Sequence, residues 1–146
     1  MRPAAFPTMR PMASALPAPV ADFLALPNPA VMATLGKDGR PVTVATWYLF
    51  EPTGQVLLNL DGERVRLRHI RRDPRMSLTV IDLADWGNHV SLQLEAVSIT
   101  DDDGLRDIDA LSTHYIGSPY PVRDRPRVTV RAEIRSVHGW GAYRDE

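Results

Sequence analysis

Residues 89–100, HVSLQLEAVSIT, alternate in character: Val90, Leu92, Leu94 and Ala96 fall on one side, and Ser91, Gln93, Glu95 and Val97 on the other. A period of two is the mark of a β-strand with one face in a core and one toward solvent. Such a strand leaves backbone donors and acceptors along both edges, which only neighbouring strands satisfy. The chain is therefore committed to a sheet, and its remaining strands have to be located.

The segment AVMATLGKDGRPVTVATWYLFEPTGQVLLNLDG supplies three β-branched and aromatic runs, at about 30–36, 41–50 and 55–61. They are separated by GKDGR and EPTG, whose Gly, Asp and Pro suit tight turns. RMSLTVIDL and RVTVRAEIRSV read as further strands, and HGWGAY follows the last of them. Three helices intervene. VADFLALPNP places Val20, Phe23 and Leu24 at helical spacing before Pro27. GERVRLRHIRRDPR, residues 62–75, is stopped by Asp-Pro, because the residue before proline disfavours the α region. DDDGLRDIDALSTHYIG opens on cap-competent aspartates and ends at Gly117. The order helix, three strands, helix, two strands, helix, strand predicts a mainly β (α+β) fold. It is an antiparallel barrel of about six strands with peripheral helices rather than a doubly wound sheet.

A chain of 146 residues supports one domain. Residues 1–19 are rich in proline and read as an unpacked, disordered tail, which leaves residues 20–146 as the single domain. The formal net charge of -1 argues against a general nucleic-acid binder, which needs a broad basic surface. With no cysteine, disulfides, thiolate nucleophiles and iron–sulfur clusters are excluded. No apolar run approaches the ~18 residues that cross a bilayer, and the opening residues lack the apolar core of a secretion signal. The expectation is a cytoplasmic protein without membrane contact. His69, His89, His114 and His138 have no ligand spacing, so no metal is expected. Nucleophile-elbow, P-loop and dinucleotide-binding glycine motifs do not occur. Tyr115 and Tyr120 read as packing residues.

The unusual segment is 62–75, where Arg64, Arg66, Arg68, Arg71, Arg72, Arg75 and His69 crowd into one predicted helix. A helical wheel places Leu67 and Ile70 inward and Arg64, Arg68, Arg71 and Arg72 outward. The later arginines complement the helix dipole and need no ligand. Arg64 and Arg66 lie in the first turn instead, where a cation opposes the dipole unless an anion occupies the end. Asp61, read as the N-cap, and Glu63 offset part of that cost. Together with the free N–H groups of a helix start, the two arginines are candidates for a phosphate.

Taken together, PAVMATLGKDGRPVTVATWYLF, VLLNLDGERVRLRHIRRDPRMSLTVID and HYIGSPYPVRDRPRVTVRAEIRSVHGWG resemble a known family over about residues 20–141. It is that of the pyridoxamine-phosphate-oxidase-like split barrels. Within it, the resemblance is to the actinobacterial flavin/deazaflavin oxidoreductases that mostly use coenzyme F-420. The resemblance implies an FMN-binding type of split barrel and a homodimer with its cofactor at the subunit interface. It also implies hydride transfer between that cofactor and a small-molecule substrate. It carries the cofactor phosphate to Arg64 and Arg66, with Asn59 helping and His69 touching the phosphate-bearing tail. The cofactor ring is carried to Val44, Ala45 and Thr46, and Trp86 and Trp140 to a site across the interface. FMN is the alternative cofactor, and a cofactor-binding protein without turnover is a reading of another class. No residue stands out as a catalytic acid.

Overall fold

The computed structural model describes residues 16–144. Residues 1–15 of the expected tail lie outside the described residues. Within its last part, Leu16 already packs against the core and helix α1 (Ala18–Leu24) begins. The chain continues through β1 (Ala30–Leu35), β2 (Pro41–Thr46), β3 (Leu49–Phe50), β4 (Val56–Asp61) and α2 (Val65–Arg72). It ends through β5 (Arg75–Ile81), β6 (His89–Asp101), α3 (Arg106–Ile116) and β7 (Arg127–Trp140).

All seven strands form one antiparallel sheet in the order β2-β1-β5-β6-β7-β4-β3. This is the predicted split barrel, with seven strands rather than about six. The sheet is not closed by hydrogen bonds, since β2 and β3 stand at opposite ends of the ladder. The extra strand arises within 41–50, which reads from sequence as one strand. The chain leaves β2 at Thr46, crosses the split through Trp47 and Tyr48, and joins the other edge as β3. Tyr48 anchors this crossing: it is 1% exposed and its hydroxyl donates to the Leu24 carbonyl at 2.8 Å.

The inward residues of β1, β5, β6 and β7, among them Met32, Leu78, Val90, Leu92 and Val130, fill the barrel together with Leu67 and Ile70 of α2. The alternation of β6 holds from Val90 to Ala96. There Ala96 pairs with Ala132 and Ser98 with Arg131, so that Val97 is an extra, unpaired residue. This bulge moves the inward phase by one, and Ile99 packs on the core while Val97 is exposed.

β4 is buried on both faces. Val56, Leu58 and Leu60 point into the barrel core, whereas Leu57 packs outward against Ile108 and Leu111 of α3. The pleat therefore places Asn59 and Asp61 on the same outer face as Leu57, beside α3 and the start of α2.

Candidate functional site

That outer face opens into a cleft of about 630 Å³, within the size range of small-molecule sites. Its apolar lining comes from Pro29 and Ala30, Leu83 from the β5–β6 turn, and Ile108 and Leu111 of α3. Trp47 from the β2–β3 crossing joins them, its ring stacked on Tyr115 at 5.3 Å and 9° and edge-on to Tyr120 at 6.3 Å. Its polar lining is Asn59, Asp61, Arg64, Arg66 and Arg127, and the two parts meet where Arg127 lies over the Tyr120 ring.

The charges in this lining are unequal. Asp61 is neutralised by Arg125, whose Nε and Nη2 donate to its two oxygens, and it accepts the backbone N–H of Glu63 at 3.1 Å. Asp61 is thus the last residue of β4 and a turn former. The N-cap of α2 is Arg64 itself, with no side-chain capping bond. Arg64, Arg66 and Arg127 have no carboxylate partner among the described residues. Burial, then the nearby charges of Arg64 and Arg127, pull the Arg66 guanidinium below its ordinary range. Three cations held near one another with no ion-pair partner among the described residues, two of them where α2 presents its first-turn N–H groups, make a site suited to an anion.

The structure brings together five of the residues singled out from sequence: Ala45, Thr46, Asn59, Arg64 and Arg66 all line the cleft. Val44 does not, because the strand alternation turns it against the barrel core. His69 does not either. It is 8% exposed, and its Nδ1 is bonded to Thr34 Oγ1 of β1 at 2.9 Å, inside the contact between α2 and the sheet. On the helix it follows Arg68, which remains outside, so the assignment of His69 to a phosphate tail is corrected here. Trp86 is 78% exposed in the β5–β6 turn, and Trp140 is 43% exposed at the end of β7 between the rings of His89 and His138. Neither lines the cleft of its own chain. Among the described residues no group of three or more acidic, histidine or cysteine side chains is arranged to hold a metal. No helix there is long and apolar enough to cross a membrane.

Sequence reasoning missed Arg127, Leu83, Trp47 and Ile108, and favoured packing over ligand contact for Tyr115 and Tyr120. Both tyrosines also line the cleft. Tyr115 is no ready acid: burial pushes its hydroxyl up to about 12, and its proton goes to the Asn28 carbonyl at 2.7 Å. Asp102 bears out the capping role expected of the aspartate run. Its carboxylate accepts the N–H groups of Asp107 and Ile108, each at 2.9 Å, and so fixes the start of α3 beside the cleft.

The Arg125–Asp61 pair ties the loop before β7 to the polar lining of the cleft. First the Arg125 guanidinium and then the Glu63 N–H hold the Asp61 carboxyl below the usual carboxylate range. A lowered folded-state value contributes stability above the ordinary pKa of about 4, lost as the pH falls through that lowered value. Denaturant titrations between about pH 5 and pH 2 should therefore show a shallower acid loss for Asp61→Asn than for the parent chain. Parallel curves would show that the pair is not formed in solution.

Comparison with known proteins matches this chain, over residues 16–141, to the pattern of the pyridoxamine 5'-phosphate oxidase family. None of the curated proteins matches it significantly. Among solved structures, an F420 reductase aligns with a TM-score of 0.74 at 20% identity, covering 84% of this chain and 98% of its own. The conserved hypothetical protein Rv2991 from Mycobacterium tuberculosis aligns at 0.70 and 27% identity, covering 86% and 84%. A pyridoxamine 5'-phosphate oxidase homologue from Listeria innocua aligns at 0.63 and 14% identity, covering 83% and 94%.

Proposed function

Because the chain belongs to the pyridoxamine 5'-phosphate oxidase family, we propose that its cleft binds a phosphate-bearing flavin or deazaflavin and that the protein is an oxidoreductase. The observation that carries this reading is the lining of the cleft, which combines three guanidinium groups without ion-pair partners among the described residues and an apolar, aromatic wall. A planar ring on a phosphorylated chain needs both. Coenzyme F-420 is the cofactor the sequence resemblance favours, and FMN is the alternative, since the same arginines would serve either phosphate.

Such a cofactor supplies hydride chemistry when bound, and the protein supplies position and electrostatics. Arg64 and Arg66 would hold its phosphate. Ala45 and Thr46 would lie beside its ring, while Leu83, Ile108 and Leu111 would exclude water. The Tyr115 hydroxyl is committed to Asn28, so a proton required by a small-molecule acceptor would come from solvent. The reading extends to a homodimer. Among the outward residues of β1 and β5, Val31, Ala33, Ser77 and Thr79 are uncharged and half-buried, and a second copy would cover them beside Arg75. In that assembly Trp86 and Trp140 are offered to the partner's cleft.

Titration of the purified protein with F-420 and with FMN, followed by absorbance and fluorescence, tests the cofactor. Turnover is then read from oxidation of the reduced cofactor against a panel of enones, quinones and nitro compounds, and sedimentation gives the oligomeric state. Micromolar or tighter binding of F-420 with acceptor-dependent oxidation is the expected result. Preference for FMN would replace the cofactor, binding without turnover would make this a carrier protein, and binding of neither would overturn the reading.

A further inference from the structure

Arg127 begins β7 directly across the ladder from Asp61, and its surroundings fix its guanidinium without neutralising it. Its Nε donates to Asn59 Oδ1 at 2.7 Å, and its guanidinium carbon lies 4.9 Å from the centre of the Tyr120 ring. Among the described residues it has no ion-pair partner. Its Nη2 also reaches the Asn59 backbone carbonyl at 3.5 Å, and the residue lines the cleft that it shares with Arg64 and Arg66.

Asn59 is bound on every side. Its Nδ2 donates to Asp102 Oδ2 at 3.0 Å and to Thr129 Oγ1 at 3.2 Å. The Thr129 hydroxyl spends its own proton on Asp107 Oδ2 at 2.6 Å, so toward Asn59 it acts as an acceptor. Both amide protons are thereby used. Reversing the amide would turn its NH2 against a guanidinium and its oxygen against a carboxylate, so its orientation is determined by its partners. Asn59 has no donor left for an anion in the cleft, and the Asp102 that holds it is the carboxylate that caps α3.

We propose that Arg127 is a third anion-binding residue of the cleft and that Asn59 contributes to binding only through it, as a positioning residue whose carbonyl aims the guanidinium. This rests on the reading that the cleft takes a phosphate-bearing ligand, and it replaces a direct phosphate contact by Asn59. The Tyr120 face supports the guanidinium plane from the loop side, where a cation over an aromatic ring is attracted to it.

The test uses inorganic phosphate as the probe, titrated into the full chain at low ionic strength and followed by NMR chemical shifts. Because the probe carries no ring, phosphate binding without binding of F-420 or FMN would sink the cofactor reading and leave this one standing. Arg127→Ala is expected to weaken phosphate about tenfold or more, as for a lost hydrogen bond to a charged group. Asn59→Ala should weaken it about threefold, and should have no further effect once Arg127 is alanine, which is the signature of two residues acting as one unit. Additive losses would return Asn59 to direct contact. Undiminished binding by Arg127→Ala, or no binding by the parent chain, would overturn the proposal. If Arg127→Ala does not fold, Arg127→Lys keeps the charge but loses the Nε bond. It is expected to weaken phosphate and to be insensitive to Asn59→Ala, and sensitivity there would equally overturn it.

Discussion

Replacing Arg64 and Arg66 together with alanine is expected to abolish cofactor binding while the chain stays folded. Each hydrogen bond to a charged group contributes about 1.5–3 kcal/mol, so losing one from each residue weakens binding by at least about a hundredfold. Neither arginine takes part in an ion pair with a described residue, so the double change removes repulsion from the unliganded site rather than a structural contact. The one side-chain hydrogen bond at stake among the described residues is that of Arg66 Nη1 with Met32 Sδ at 3.2 Å, a weak one. The control is Arg71→Ala with Arg72→Ala. Both side chains are exposed in the last turn of α2 and do not line the cleft, so binding should stay within about twofold. Equal losses in the two double variants, measured by the same cofactor titration, would show that the anion is read by a diffuse basic face and not by the start of the helix.

The second large effect is structural and concerns the segment HGWGAY. A methyl group at Gly139 would stand 1.8 Å from the Tyr143 carbonyl oxygen and 2.6 Å from its carbon, both backbone atoms that cannot swing away. Gly141, at φ 64°, adopts a conformation that side chains rarely take, and a Cβ there would meet Asn88 Oδ1 at 2.2 Å. The two glycines let the chain double back after β7. Ala142 then donates its N–H to Asn88 Oδ1 at 2.9 Å, and Tyr143 stacks on Phe23 of α1 at 4.4 Å and 28°. Gly139→Ala should therefore lower stability by about 3 kcal/mol, the upper end of the usual overpacking penalty, or release the hook from α1. Against a typical total of about 5–15 kcal/mol that is a large fraction. Denaturant midpoints read the effect. The same substitution in a chain ending at Trp140 should cost little, and an equal cost there would place the strain inside the sheet instead.

Much of the barrel was legible because its information is local. The alternation of Val90, Leu92 and Leu94 and the turns at GKDGR and EPTG mark strands by themselves, since pleat and turn chemistry act over a few residues. The junction at Arg64 and Arg66 was legible for the same reason, as a helix dipole acts on the residues of its own first turn. Where the local signal was ambiguous, packing decided. The run 41–50 is β-branched and aromatic almost throughout, and nothing within it shows that Trp47 and Tyr48 cross from one edge of the sheet to the other. His69 looks on the helix like a neighbour of the arginines, and only the position of Thr34 on β1 draws it inside.

The rest of the site was invisible to sequence because it is made by contacts between residues far apart in the chain. Arg127 meets Asn59 across 68 residues through the β4–β7 pairing, and Leu83 joins Ile108 in the cleft through the curl of an open sheet. The sequence by itself determined that there would be an antiparallel sheet, and that two arginines would stand at a strand-to-helix junction. Only the tertiary structure decided which third arginine joins them and which amide aims it. Strand register and sheet curvature are properties of paired segments, set by the packing of the whole core and carried by no single stretch of chain.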